Sequence, residues 1–499
     1  MVLVGGCTET VVRCREGYLA DDGMEGRTRC VLADGGSDGG SDAMVRIDAC
    51  DPAAADLPGD GIDSNCDGVD GVRGDTLFVA TSGDDMNSGL TPEQPVRTVS
   101  KALSIARAGT RRSILIAVGS YDAVPIALGD SGAEVATHQL VDGVTLSGRY
   151  PGGSGGWVAR SSAMDDRSLL RGTITAAFIL DLRSAVTFHD VDLTSELDGM
   201  LYNLSCFGVL VVGSGVVTLD RSRVQVCAGS SAPKELPDAG RTRGGGSNGA
   251  AGGVGGFGCS GDGNGGQGGT DGSVNGANGA VGTMTALGAA AAGGDGGTMA
   301  QPSGGTGATG AEGQRGLAVT MGEFSEEGYL IPQGERAGTG GTGGGGGGGG
   351  YGTMMGASGV GGGGGGGGCG GEGGLPGVSG GASIGVFAWG DSIRVILPGT
   401  TITTAGGGDG GPGGAGGGGG PGGAGGESVS GGRGGNGGSG GRGGEGAPGA
   451  GGPSFGVVAR SLDARDFETE TWRIGYGGRS GASLGGRGLQ QHLFRLTRP

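Results

Sequence analysis

Long stretches of this chain place glycine at two of every three positions, and this pattern restricts what they can fold into. In residues 407–452 the non-glycine residues recur at every third position from Asp409 to Glu445, and the pattern breaks only at Ser428 and Val429. Three residues per turn is the repeat of a polyproline-II-type helix, and glycine lets such helices approach closely and hydrogen-bond to one another. A flexible coil, the alternative, needs no fixed phase. We expect polyglycine-II-like helices that reverse direction at the break.

The end of an earlier stretch, residues 230–383, follows the same design, with Thr339, Tyr351 and Val378 in one three-residue phase. The 136 glycines and 17 prolines make up about 31% of the 499 residues, and aromatic residues only 4%. A conventional packed core therefore cannot run through the whole chain.

A second repeat has a different character. Phe207–Gly229, Ile384–Gly406 and Phe455–Gly477 can be overlaid without gaps, and Phe178–Gly199 is a looser copy. About 23 residues in three short strands correspond to one coil of a parallel β-helix. The glycine-rich stretches fall between these coils, so we interpret them as insertions that leave one corner of the β-helix.

Residues 75–150 support this interpretation. The ordered pieces FVATSGDDMNSGLTPEQPVRTVSKALSIA, ILIAVGSYDA and VDGVTLSGRY resemble the opening of right-handed parallel β-helix proteins of the pectin-lyase-like superfamily. Val99, Ala102, Leu103 and Ala106 have helical spacing. The resemblance implies that this helix caps the coil. The predicted fold class is an all-β, right-handed parallel β-helix with an N-terminal helical cap and long glycine-rich loop insertions.

An aspartate-rich motif precedes this region. Side-chain oxygens that alternate along a loop and are followed by glycine suit a hard cation, although the acidic residue expected at position 12 of an EF-hand loop is missing. The motif resembles the calcium repeats of thrombospondin type 3. We predict a structural calcium site whose ligands are Asp60, Asp63, Asn65, Asp67 and Asp70.

The cysteines indicate an oxidising compartment, because no pair has the C-x-x-C spacing of a zinc site. Candidates for disulfides are Cys14, Cys30, Cys50, Cys66, Cys206, Cys227, Cys259 and Cys369. A Cys50–Cys66 bridge around a solvated turn is the alternative to the calcium site. Cys206 and Cys227 lie 21 residues apart, close to one coil, and could bridge adjacent coils. Cys259 and Cys369 could link two glycine-rich stretches.

The ninth cysteine, Cys7, follows the small residues of Met1-Val-Leu-Val-Gly-Gly, which look like a bacterial lipobox. A charged n-region and a full apolar h-region are missing, so an ordinary disulfide cysteine remains the alternative. A lipid on Cys7 would anchor the protein to the outer membrane.

Net charge and motifs narrow the function. A formal charge of −17 argues against nucleic acid as a partner. We expect His189 to be an outward-facing surface residue. Asp190 and Asp192 could form a catalytic carboxylate pair, but a solvated strand face explains them equally well.

The layout resembles the glycine-rich, β-helical surface lipoproteins of myxobacteria, and the glycine repeats resemble PE-PGRS-type proteins. We expect a non-enzymatic structural or adhesive protein, exported to the cell surface or secreted, whose glycan or protein partner is undefined. The alternatives are a carbohydrate- or ice-binding module, or a polysaccharide lyase or hydrolase. The expected regions are 1–49 (lipobox-like start, cysteine-bearing segment and linker), 50–74 (calcium loop), 75–229 (cap and first coils), 230–383 (glycine-rich insertion), 384–406 (coil), 407–452 (glycine-rich insertion) and 453–499 (last coil and tail).

Overall fold

A computed structural model describes most of the chain from residue 52 onward, together with one short N-terminal hairpin. The described residues are 18–22, 28–32, 52–128, 133–153, 156–163, 165–197, 204–233, 247, 249, 254–259, 263–268, 275–282, 291–298, 300–334, 336–337, 339, 344–349, 352–354, 357–467, 470–481 and 486–497. Within them, no helix has the length and apolar character that crossing a membrane requires.

Three parallel sheets of six strands each form the main body. Sheet 1 contains Thr76–Val79, Ser113–Ala117, Thr145–Tyr150, Ala185–His189, Gly215–Asp220 and Ile393–Ile396. Sheet 2 contains Gly119–Asp122, Ser168–Gly172, Val191–Ser195, Arg223–Val226, Thr401–Thr404 and Thr471–Ile474. Sheet 3 contains His138–Gln139, Thr175–Leu182, Cys206–Gly213, Ser383–Trp389, Ser454–Ala459 and Gln490–Arg495. Through the middle of the chain, strands enter sheets 1, 2 and 3 in rotation, and each pairs with its counterpart one coil away. The predicted all-β, parallel β-helix-like fold is confirmed at this level.

Within the described part of the chain, helices are few and the remaining strands form hairpins. The α-helix Val99–Ala108 buries the four residues whose spacing predicts it, and the Thr98 hydroxyl caps its start by accepting a hydrogen bond from the Lys101 N–H. Two 3-10 turns, Arg73–Asp75 and Ala464–Phe467, are short. The antiparallel hairpins pair Tyr18–Asp22 with Thr28–Leu32, Pro125–Leu128 with Ala133–Ala136, Glu323–Ser325 with Gly328–Leu330, and Gly352–Met354 with Ala357–Gly359.

The β-helix core consists of ladders of inward-facing aliphatic residues. In sheet 1, Val186 pairs with Val217, which pairs with Val395, and all three are buried. Alternate strand residues point to one face of a sheet, so a ladder in register stacks like side chains from coil to coil. Burial of an aliphatic side chain stabilises the fold by roughly 1.5–3 kcal/mol.

The gapless overlay of the coils holds for the strands of sheet 3 but is wrong by one residue elsewhere. Phe207 pairs with Ile384, as the overlay predicts. In sheet 2, however, Arg223 pairs with Thr401, whereas the overlay places it opposite Thr400. The extra residue lies in the turn after Trp389, where chain length is less constrained than in a hydrogen-bonded strand.

Both glycine-rich insertions connect a strand of sheet 2 to a strand of sheet 3. The two arms of the second insertion, residues 408–426 and 434–452, hydrogen-bond to each other at intervals of three residues. Every third N–H from Gly434 to Gly452 donates to every third carbonyl from Gly426 back to Gly408, at N···O distances of 2.8–3.0 Å. The descending order of the acceptors means that the two segments run antiparallel.

A third segment, residues 362–380 of the first insertion, hydrogen-bonds to both arms of the second insertion. Every third N–H from Gly362 to Gly380 donates to the series of carbonyls from Gly432 to Ala450, at 2.8–3.0 Å. The N–H groups from Gly411 to Gly426 donate to the carbonyls from Val378 back to Gly363, at 2.6–2.8 Å. Each of the three segments therefore bonds to the other two.

The pure-glycine runs of the sequence lie in the interior of this assembly. All of Gly344–Gly349 and Gly361–Gly368 are buried. Successive N–H groups of Gly344–Gly349 donate in rotation to three different neighbours, which are residues 305–308, 277–280 and 362–365. Because a neighbour lies on every side, these positions leave no room for a side chain.

Two predicted disulfides are confirmed. Cys206 bonds to Cys227, with Cα atoms 5.6 Å apart, and Cys259 bonds to Cys369, with Cα atoms 5.0 Å apart. The second bridge joins two glycine-rich segments that lie 110 residues apart in sequence. Cys66 is also disulfide-bonded. Cys7, Cys14 and Cys50 lie outside the described residues, and only the backbone of Cys30 is described.

Candidate metal centre and adjoining arginine cleft

The aspartate-rich loop is shaped by its own carboxylates. The Asp63 carboxylate accepts hydrogen bonds from the N–H groups of Asp67 and Gly68, at 3.1 and 3.0 Å. The Asn65 side-chain oxygen also accepts from the Asp67 N–H, at 3.0 Å. Small polar side chains commonly bond the backbone two to five residues ahead in this way and so fix turns.

Asp67 closes the far side of the loop. Its carboxylate accepts from the N–H groups of Val69, at 3.2 Å, and Arg73, at 2.8 Å. Three predicted metal ligands, Asp63, Asn65 and Asp67, therefore hold the loop together in this structure. The carboxylates of Asp63 and Asp67 do not belong to the group that Asp60 and Asp70 form.

Asp60 and Asp70 instead form a group with Asp56. One ligand oxygen from each lies within 4.8 Å of the others, so these three carboxylates could hold a metal ion. Asp70 is fully buried and fixed by hydrogen bonds from the Gly59 and Gly61 N–H groups, at 2.8 and 2.7 Å, and from the Tyr150 hydroxyl, at 2.6 Å. Asp60 is exposed.

Asp56 is the member of the group that most needs a partner. Its exposed fraction is 6%, and neither carboxylate oxygen accepts a hydrogen bond from the residues that the structure describes. Burial raises the pKa of Asp56 to about 6, with repulsion from Asp70 and Asp63 adding to the rise and a looser interaction with the Gly71 backbone opposing it. Burial likewise raises the pKa of Asp70. Since an unpaired buried carboxylate is costly, a bound cation would stabilise this arrangement.

Sequence reasoning missed Asp56 because it precedes the alternating motif. The run Ala53-Ala-Ala-Asp56-Leu-Pro-Gly-Asp60 looks like an ordinary linker. The sequence shows only a carboxylate four residues before Asp60 and shortly before a Pro-Gly turn. This pattern is too common to identify a ligand.

A cleft of about 880 Å³ adjoins this group. One wall is the loop from Leu57 to Gly61, and the other is the corner between sheets 1 and 2. The loop packs tightly on the corner, since a Cβ atom on Gly59 would lie 2.7 Å from the His189 ring. Asp60 belongs to both the carboxylate group and the cleft lining.

The corner itself is a ladder of residues with left-handed backbone. Asp190 and Arg221 directly follow sheet 1 strands on successive coils, and Arg149 is the second-last residue of the preceding sheet 1 strand, Thr145–Tyr150. Their φ angles are 69° for Arg149, 52° for Asp190 and 50° for Arg221. A single residue with positive φ turns the chain sharply from one sheet to the next. The three side chains therefore extend from the same edge of sheet 1 on neighbouring coils.

Three arginines converge on the Asp190 carboxylate, whose side chain is only 5% exposed. Arg149 lies 3.5 Å from it, Arg221 lies 3.1 Å from it, and Arg160 also contacts it directly. Arg160 donates a further hydrogen bond to the Gly59 carbonyl, so it links the loop to the corner.

One surface interpretation from the sequence, the solvated face at Asp190 and Asp192, is wrong. Asp190 and Asp192 are buried rather than solvated, and Arg167 lies 3.5 Å from the Asp192 carboxylate. His189 does face outward from its strand, as predicted, but it is partly covered and its Nδ1 lies 2.9 Å from the Asp220 carboxylate, with the side chain 24% exposed. The sequence pattern of alternation predicted the strand, but it could not show that the loop and the Arg160 segment cover this face.

Comparison with known proteins adds little to the site. A rhamnogalacturonan lyase of known structure is similar to this chain at 18% sequence identity, over 33% of this chain and 40% of the lyase, with a TM-score of 0.22. No protein-family model matches the sequence, and no curated protein matches it. The chain matches less than half of the lyase's length, and the likeness is too small to inform activity.

Proposed function

We propose that this protein is a non-enzymatic structural or adhesive protein of the cell surface, in which a β-helix carries a bundle of polyglycine-II-type helices. The observation that carries the proposal is the three-residue period of hydrogen bonds among residues 361–380, 408–427 and 431–452. Helices bonded in this way are extended and rigid, and their outward third positions remain free to contact another surface.

The finer features of the fold belong to the same proposal. The helix Val99–Ala108 packs its apolar face into the main core next to the first strand of sheet 1, which supports its role as the N-terminal cap of a right-handed coil. The glycine-rich segments both leave between sheets 2 and 3, which supports their interpretation as insertions at one corner.

The proposed location is extracytoplasmic. The disulfides are compatible with an oxidising compartment. The lipobox-like sequence before Cys7 supports attachment to the outer membrane through a lipid.

The proposed metal is calcium, held by Asp56, Asp60 and Asp70. A set of carboxylate oxygens suits a hard cation, and calcium accepts six to eight oxygen ligands in flexible geometry. Bound calcium would neutralise the two buried carboxylates and fix the loop, which Asp70 joins to the β-helix through the Tyr150 hydroxyl. Its role would be structural.

An adhesion assay tests the proposed function. Beads coated with the wild-type protein, with Gly416→Ala or with Ala415→Ser are applied to cells that produce the protein. We expect equal retention for the wild type and Ala415→Ser, and at least a several-fold loss for Gly416→Ala, because Gly416 is buried between segments and Ala415 is exposed. Equal retention of all three proteins, or release of sugar from the cell surface, would contradict the proposal.

Calcium is expected to raise the thermal stability of the wild-type protein. At calcium concentrations of 100 times Kd the gain would be about 2.7 kcal/mol. Asp56→Asn should abolish this gain. In chelator the same variant should be at least as stable as the wild type, because it removes a buried charge that has no partner. Differential scanning calorimetry with calcium and with chelator measures both effects.

Asp63→Asn is the matched comparison, since Asp63 lies in the loop but outside the group of three carboxylates. This variant should retain the calcium-dependent gain. If Asp63→Asn abolishes the gain and Asp56→Asn does not, the alternating motif binds the metal and the assignment to Asp56, Asp60 and Asp70 is wrong.

A further inference from the structure

The cleft beside the carboxylate group combines three features that the structural roles proposed above do not together explain. It is large, at about 880 Å³, it is lined by arginines, and it contains the exposed carboxylate of Asp60. A structural calcium site would need only the loop, and a rigid corner would not need an open cleft.

The first feature that points to a ligand is the geometry of the metal group. With the one oxygen that each residue brings into the group, three carboxylates fill three of the six to eight oxygen positions of calcium. Asp56 and Asp70 are buried on the protein side, whereas Asp60 is exposed and lines the cleft. A cation held by these residues would therefore have open coordination positions on the side of the cleft, where oxygen atoms of a ligand can enter.

The second feature is the charge of the opposite wall. Arg149, Arg160 and Arg221 face two carboxylates, Asp190 and Asp220, so this wall carries an excess of one positive charge when His189 is neutral. Local positive charge is unusual in a chain whose net charge is −17. The side chain of Arg221 lines the cleft and is 49% exposed, and its guanidinium pairs with Asp190 at 3.1 Å and with Asp220 at 2.6 Å.

The third feature is the supply of hydrogen-bonding groups between the two charged regions. The Asp220 carboxylate and the His189 ring, which bond to each other at 2.9 Å, both line the cleft, as does Thr145. Carboxylate and imidazole groups at partly exposed positions can bond the hydroxyl groups of a ligand. An arginine suits a carboxylate because its planar guanidinium can donate two parallel hydrogen bonds.

We propose that the cleft binds an acidic carbohydrate through its carboxylate groups, with calcium at Asp56, Asp60 and Asp70 coordinating one end and Arg221 binding the other. The hydroxyl groups contact His189 and Asp220. The inference rests on the proposed calcium site and is independent of the glycine-helix bundle. Acidic carbohydrate would then be the ligand class for adhesion, and it would be bound without cleavage of any bond.

Isothermal titration calorimetry of the full chain tests this assignment with short oligomers of glucuronate and of glucose, matched in length. With calcium present, we expect the acidic oligomer to bind at least tenfold more tightly than the neutral one. Removing calcium, or introducing Asp56→Asn, should weaken binding of the acidic oligomer at least tenfold. Arg221→Gln should weaken it about tenfold without changing the affinity for calcium.

Two further variants keep the result interpretable. Arg183→Gln removes an exposed arginine that pairs with Asp181 away from the cleft, and it should bind as the wild type does. If Arg221→Gln fails to fold, Arg221→Lys replaces it in the test. Arg221→Lys keeps the charge and should retain part of the affinity for the acidic oligomer. Sulfate is titrated as a plain anion, and it should not displace the acidic oligomer at equal concentration.

Different failures have different meanings. Calcium binding without a preference for the acidic oligomer would overturn this inference and leave the calcium site intact. Preference for the acidic oligomer without calcium binding would overturn both the metal-dependent mode and the proposed calcium site. Equal displacement by sulfate would overturn the assignment to an acidic carbohydrate.

Discussion

Replacing Gly416 with alanine is expected to destabilise the glycine-rich bundle by roughly 3 kcal/mol or more. A Cβ atom at this position would lie 1.8 Å from the Gly443 carbonyl oxygen and 2.3 Å from its carbon. Both contacts are with backbone, so no side chain can rotate away, and the two segments must separate. Overpacking of a rigid interior typically costs 1–3 kcal/mol, and separation here also breaks hydrogen bonds of the ladder between residues 408–427 and 431–452. Limited proteolysis and thermal unfolding measure the effect.

Ala415→Ser is the matched control. Ala415 precedes Gly416 in the same segment, but it occupies the exposed third position. Its substitution should change stability by less than about 0.5 kcal/mol. If both variants resist protease as well as the wild type does, residues 408–427 are not packed against residues 431–452.

Replacing Asp190 with asparagine is expected to destabilise the β-helix by about 3 kcal/mol. The substitution removes the carboxylate that Arg149, Arg160 and Arg221 share, and the side chains of Arg149 and Arg160 are only 19% and 14% exposed. Loss of one partner from a buried ion pair leaves the other charge uncompensated, which typically costs 3–5 kcal/mol. Asparagine tolerates positive φ as aspartate does, so the backbone at this corner is not strained. Chemical denaturation measures the free energy of unfolding.

The comparison variant is Glu196→Ala. Glu196 pairs with Arg171 at 2.6 Å, but both side chains are well exposed, at 57% and 40%. Exposed pairs contribute at most about 1 kcal/mol. Similar small losses for both variants would show that Asp190 does not hold the corner together.

Local repetition explains which parts of the fold could be predicted. The overlay of Phe207, Ile384 and Phe455 identifies one sheet because strands in register repeat their inward and outward residues. The other two sheets were displaced by one residue, since a turn can gain or lose a residue with little change in free energy. The bundle could have been predicted in more detail. The uninterrupted glycines at 344–349 and 361–368 indicate segments surrounded on all sides, whereas segments with a side chain at every third position have one open face.

The site depends on contacts that no local pattern records. Arg149, Arg160, Asp190 and Arg221 are spread over more than 70 residues and come from three coils and a connecting segment. Their convergence follows from the register between coils, and the overlay of the repeats predicted this register wrongly by one residue in two of the three sheets. Asp56 was missed for a related reason. Its significance lies in its burial against Asp70, and burial of a linker residue depends on what packs over it.

Hydrogen exchange of the backbone amides in Gly344–Gly349 and Gly361–Gly368 tests the central claim most directly. No side chain can stabilise these segments, so protection there can come only from backbone hydrogen bonds between segments. We predict slow exchange, comparable with that of the sheet 3 strand Cys206–Gly213. Complete exchange at the rate of an unstructured peptide would contradict the bundle and would mean that the glycine-rich segments are flexible chains.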